Sequence, residues 1–88
     1  MKDSVAIFDT YVKNTDSEMM HFDIVVPKGT EVSKVYDFGR KYLTSKNVQA
    51  SNFSSKLCTF CHVEEPTAQM KQDIKENGFH IIEMAGCN

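Results

Sequence analysis

Two runs near the start of the chain, residues 4–13 and 19–26, are rich in β-branched and aromatic types, and the turn formers Asn14-Thr15-Asp16-Ser17 lie between them. Such side chains pack well on a pleated surface, and short polar residues accept tight turns. The segment therefore reads as a β-hairpin, closed by Pro27-Lys28-Gly29. A hairpin has to fix its register, because a slip of one residue sends every side chain to the opposite face. Setting Phe22, Ile24 and Val26 on the core face with Ala6, Phe8 and Val12 gathers Asp9, Tyr11, His21 and Asp23 on the other. That register is preferred because it groups the polar side chains.

After Thr30 the period changes from two to between three and four. Val32, Val35, Phe38, Gly39, Tyr42 and Leu43 form one stripe of an amphipathic helix, with Thr30 as the expected N-cap. The stripe is what a helix needs to pack on a sheet, and Gly39 within it allows a close approach. Residues 47–56 are rich in Ser and Asn and read as a connecting loop. Residues 57–63 read as a short strand or an extended hook. Glu64-Glu65-Pro66-Thr67 is a helix-start signal, and the helix it opens carries the thin apolar stripe Ala68, Met70 and Ile74 before stopping at Gly78. Residues 79–84 make a closing strand.

The predicted order is ββαβαβ within a single domain spanning residues 1–88, which is long enough for one core and no second one. A chain of this size buries only about 60–65% of the surface its unfolded form exposes, so a deep internal cavity is not expected. The predicted fold is a two-layer α/β (α+β) sandwich: a mixed four-stranded sheet with both helices on one face. Val5, Ile7 and Val25 would then lie uncovered on the other face, which leads to the expectation of a homodimer built there.

The formal charge of −2 creates no basic field for phosphate backbones or anionic lipid. The densest basic cluster, Arg40, Lys41 and Lys46, falls late in the first helix, where cations complement the helix dipole. No nucleic-acid partner and no membrane partner are expected. The start of the chain, Met1 to Asp9, has acids at positions 3 and 9 around a short apolar run and lacks a signal-peptide pattern. The expected location is cytoplasmic, where three thiols would stay reduced.

Cys58-Thr59-Phe60-Cys61-His62 is the densest set of soft ligands, and Cys87 adds a third sulfur. The count suits a Cys3His zinc site, with His21 or His80 as substitute ligands. A regular strand, however, would point Cys58 and His62 to one face and Cys61 to the other, so metal binding needs a knuckle at Thr59-Phe60. The same spacing admits a redox dithiol, although no helix start lies close enough to lower a thiol pKa. It equally admits buried structural thiols. The second constellation, Asp9, Tyr11, His21 and Asp23, offers carboxylate, imidazole and phenol for acid–base work, or simply a polar strand face. The combined reading is a small binding or interaction module with a zinc-class metal at Cys58, Cys61, His62 and Cys87. The alternative is a thiol-redox or acid–base enzyme using either cluster.

Four separated segments carry a further signal: Phe8-Asp9-Thr10-Tyr11-Val12, Met20-His21-Phe22-Asp23, Cys58-Thr59-Phe60-Cys61-His62 and Gly86-Cys87-Asn88. Together, in this order, they resemble an uncharacterised family of small, mainly bacterial proteins known as domain of unknown function 2024. The likeness covers nearly the whole chain. It implies a compact α/β fold and brings no reaction or functional residue with it.

Overall fold

A computed structural model describes residues 5–13, 18–48, 53–58 and 66–87. The elements run β1 (Val5–Lys13), β2 (Met19–Pro27), α1 (Val32–Ser45), β3 (Ser54–Leu57), α2 (Ala68–Asn77) and β4 (His80–Ala85). The strands form one sheet in the order β3-β1-β2-β4, and the element order is the predicted one. Every pairing is antiparallel, where a mixed sheet was expected. The reason lies in the connections: β3 enters beside β1 and β4 beside β2, each against its neighbour's direction. The turn residues 14–17 lie outside the described residues.

The hairpin has the register that the polar grouping predicts. Ala6 pairs with Val26, Phe8 with Ile24 and Val12 with Met20, while Asp9 faces Asp23 and Tyr11 faces His21. The first set builds the main core, joined by Phe22, Val35, Tyr42, Leu43 and Cys87. Gly39 lets α1 sit close to its neighbours: a Cβ there would lie 2.9 Å from the Phe53 ring and 3.3 Å from Ile24 Cδ1. Val32, counted in the apolar stripe, is instead exposed. The N-cap is Glu31, and the Thr30 hydroxyl donates back to the Pro27 carbonyl at 2.6 Å.

α1 alone spans much of this face. Tyr36 bonds to the Ser55 backbone on β3, Phe38 stacks on Phe79, and Tyr42 donates to Glu83 on β4. Met70 and Ile74 of α2 do not join this core. α2 instead lies against β2 and β4, and its Asp73 bonds His80 at 2.6 Å. His80 pairs with Val25, so its side chain belongs to the reverse side of the sheet. The expectation of both helices on one face is thus revised: α2 reaches the reverse side, because α1 has already occupied the first. Val25 is fully buried and Ile7 nearly so within this single copy. The premise for a homodimer, their exposure, does not hold for these two residues.

One further boundary differs from expectation, and the ends of α2 are those expected. β3 occupies Ser54–Leu57, beginning inside the stretch read as a polar loop and ending at the first residue of the one read as a strand, because Ser55 points inward and its hydroxyl pairs with that of Thr10 at 2.9 Å. A buried hydroxyl pair satisfies itself and leaves no apolar pattern to read. The start of α2 is capped by Thr67, whose hydroxyl accepts the Met70 amide at 3.1 Å, and Gly78 ends it in the left-handed conformation.

Candidate functional site

The polar cluster is made by the central hairpin. Asp9 and Asp23 are direct cross-strand partners, and Tyr11 faces His21 one same-side row further along. Like charges placed opposite one another destabilise a strand pair, so this rung is a local conflict in an otherwise consistent sheet. The ring of Tyr11 stacks on His21 with centroids 4.3 Å apart and planes 9° from parallel. Beneath it, His21 Nε2 lies 3.8 Å from Asp9 Oδ1 and 3.7 Å from Asp23 Oδ1. These separations are too long for hydrogen bonds. One donor atom from each of Asp9, His21 and Asp23 lies within 4.8 Å of the other two.

Burial sharpens the cluster's chemistry. Asp23 is 6% exposed, and both its Oδ1 and His21 Nε2 are buried without a hydrogen-bond partner among the described residues. Most buried polar groups are paired, so two orphans facing each other are unusual. Desolvation, then hydrogen bonding to Asp9 and repulsion by its charge, push the Asp23 carboxyl up to about 6, against the pull of His21. The sheet is irregular at this place too. His21 pairs with Ala85 and Phe22 with Glu83, leaving Met84 as an extra residue on β4. Bulges bend a strand and re-aim neighbouring side chains, and they concentrate beside binding sites. Tyr11, Met19 and Met84 are about half exposed.

Gly86 and Cys87 close the same end of the sheet. Gly86 has φ +69°, and a Cβ there would meet the Met19 carbonyl oxygen at 2.5 Å. The turn carries Cys87 into the core, where its thiol is free, buried, and 3.4 Å from the carbonyl of His21. Cys58 lies elsewhere: its amide bonds to Ile7 on β1, in the row of Val25, and the residue is disulfide-bonded. Four residue steps along β2 separate that row from His21, about 13 Å along the strand. Zinc–sulfur bonds of ~2.3 Å cannot bring Cys58 and Cys87 to one ion across that gap. Cys61 and His62 lie outside the described residues, as does Thr59-Phe60, where a knuckle would have to form.

His80, named as a substitute ligand, is held by Asp73 instead. The imidazole and the Gln69 amide together keep the Asp73 carboxyl below its ordinary range. The pair lines a cleft of about 380 Å³ at the β4 edge, together with Tyr42, Lys46 and Glu83. Lys46 reaches Glu83 at 2.9 Å, and the hydrogen bond from Tyr42, then that from Lys46, hold the carboxyl below its usual value. Each of these charged groups already has an opposite partner, which leaves the hairpin cluster as the unsatisfied one. Met84 and the bulge had no mark in the sequence. Asp73 and His80, seven positions apart and in different elements, meet only through the turn at Gly78.

Fold and site define a class of small α+β domain that carries an acid–imidazole centre on the reverse side of an antiparallel hairpin. Within that class the chain belongs to the family described as Domain of unknown function (DUF2024), whose sequence profile matches residues 3–84. A solved structure similar to it is the NMR structure of protein NE1680 from Nitrosomonas europaea, a structural genomics target. The two are 30% identical, with a TM-score of 0.75 over 96% of this chain and 98% of that one. Among curated proteins no relative matches. No helix among the described residues is long and apolar enough to cross a membrane.

Proposed function

We propose that this protein is a small binding module whose working surface is the end of the hairpin carrying Asp9, Tyr11, His21 and Asp23. One observation carries the reading: His21 Nε2 and Asp23 Oδ1 are buried, face each other at 3.7 Å, and have no hydrogen-bond partner among the described residues. A buried polar atom left unpaired costs about 1–3 kcal/mol. A fold gains nothing from holding two of them beside a pair of opposed carboxylates. An external ligand that pairs with them explains why the arrangement is compatible with a stable domain. Strained or unsatisfied groups of this kind trade stability for function.

Thermal unfolding of the ligand-free protein tests the reading. His21→Phe keeps a ring to stack on Tyr11 and removes the orphan nitrogen, and Asp23→Asn removes the buried charge. Both are expected to raise the midpoint. A fall in both would show the cluster to be structural cement, and the reading would be lost.

An acid–base enzyme using the same residues is the second reading, favoured by the raised Asp23 carboxyl beside an imidazole. It predicts turnover on top of binding, with activity abolished by Asp23→Asn.

A further inference from the structure

We infer that the ligand of this site is a single first-row transition-metal dication, bound by one carboxylate oxygen each from Asp9 and Asp23 and by Nε2 of His21. The inference rests on the binding-module reading and names its ligand class.

Three observations carry it. The first is distance. Two ligands bonded at about 2.0–2.1 Å to a tetrahedral ion sit about 3.4 Å apart. The observed 3.7 and 3.8 Å from His21 Nε2 to the two carboxylates exceed that edge by a few tenths of an ångström, yet are too long for hydrogen bonds. The third edge, between the two carboxylate oxygens, is within 4.8 Å, so closing the site requires the Asp9 and Asp23 side chains to turn toward each other as well as toward His21.

The second is orientation. Asp23 is more than nine-tenths buried and its Oδ1 points, unpartnered, at His21 Nε2, itself unpartnered. A water bound there could donate to both carboxylates and accept from the imidazole N–H, but it would leave two negative charges opposed on one rung, which a dication offsets. An ion accepts all three donor atoms at once.

The third is charge and softness. Two carboxylates and a neutral imidazole sum to a double negative charge, so a dication makes the buried unit neutral and relieves the opposed Asp9–Asp23 rung. Magnesium and calcium favour all-oxygen shells, whereas an imidazole with carboxylates suits zinc, manganese, iron(II) or cobalt. Three protein ligands leave at least one coordination position outward, beside the half-exposed Tyr11. The site thus has the open form of a centre that takes a further small ligand, not the closed form of a structural one.

The experiment uses the full chain, stripped with chelator and titrated with Zn²⁺ by calorimetry and with Co²⁺ by visible absorption. One equivalent of each is expected, and the Co²⁺ spectrum should lack a thiolate charge-transfer band. Asp23→Asn and Asp9→Asn should each weaken Zn²⁺ binding at least tenfold, and His21→Phe should abolish it. Cys58→Ser and Cys87→Ser should leave it unchanged. Two Asp variants are included so that a failure of one to fold does not decide the matter. No binding, binding indifferent to Asp9, His21 and Asp23, or a thiolate band lost in Cys58→Ser would each overturn the cation assignment. If cations fail to bind while Asp23→Asn and His21→Phe still raise the unfolding midpoint, the dication is wrong and the binding-module reading stands. If both midpoints fall, that reading falls with it.

Discussion

Lowering the pH should stabilise the metal-stripped protein between about pH 7.5 and pH 5, and replacing Asp23 should remove that gain. The Asp23 carboxyl is raised from 3.8 to about 6 in the fold, so the folded state binds its proton more tightly than the unfolded chain does. The sign follows. Stability from this group is fully present below the unfolded value of 3.8 and is lost as the pH rises through about 6. Integrating the linkage between those two conditions gives a gain on the order of 1 kcal/mol on acidification. For a domain of this size that corresponds to a rise of roughly 4–8 °C in midpoint. Asp73 and Glu83 act with the opposite sign, but their carboxyls are lowered, so their loss begins only in more acid solution. The assay is urea unfolding in chelator at both pH values, for the natural sequence and for Asp23→Asn. The difference between the two proteins isolates the group from the three histidines of the chain. Equal pH responses in the two would refute the account of a buried, repelled carboxyl.

Other substitutions probe the frame that holds the site. Gly86→Ala should destabilise by about 2–4 kcal/mol, since it adds a left-handed alanine to a backbone clash at Met19, and thermal unfolding would show it. Thr67→Ala should cost about 1 kcal/mol through loss of the α2 cap, whereas Thr30→Ala, whose hydroxyl does not cap α1, should not remove a cap; paired urea titrations compare them. Val25→Ala should cost about 1–3 kcal/mol despite lying on the side the sequence left open, because the side chain is fully buried. A Val25→Ala protein as stable as the parent would show that α2 does not cover this face as described.

The hairpin was legible from residues 4–26 because its two constraints agree. The apolar residues alternate, and only one register also groups the polar ones, as the Asp9–Asp23 and Tyr11–His21 pairs show. The first helix was legible for the same reason at a different period. β3 was not, since Ser54 and Ser55 carry no apolar alternation and Ser55 is buried through a hydroxyl pair with Thr10. The side taken by α2 was illegible as well. It depends on how much of the first face α1 fills with Tyr36, Phe38 and Tyr42, a question of side-chain reach that a thin stripe of Met70 and Ile74 cannot answer. Within the site, the residues Asp9, Tyr11, His21 and Asp23 were named from the register. Their priority over the cysteines became visible only with burial, which separates a solvated polar face from one with orphaned atoms. Cysteine density is a chemical signal that ignores strand order, and Cys58 and Cys87 belong to rows about 13 Å apart.

The opposed carboxylates of Asp9 and Asp23 also bear on how the sheet assembles. Counting from the turn, the paired rows run Lys13–Met19, Val12–Met20, Tyr11–His21 and Thr10–Phe22 before the charged rung is reached. A hairpin that zips from its turn therefore meets repulsion midway, before the apolar rows of Phe8 with Ile24 and Ile7 with Val25 can close. Since β3 and β4 dock on the two outer edges of this pair, the complete sheet includes that rung at its centre. A dication or a proton bound there would offset the repulsion and so stabilise the pairing on which both edge strands dock.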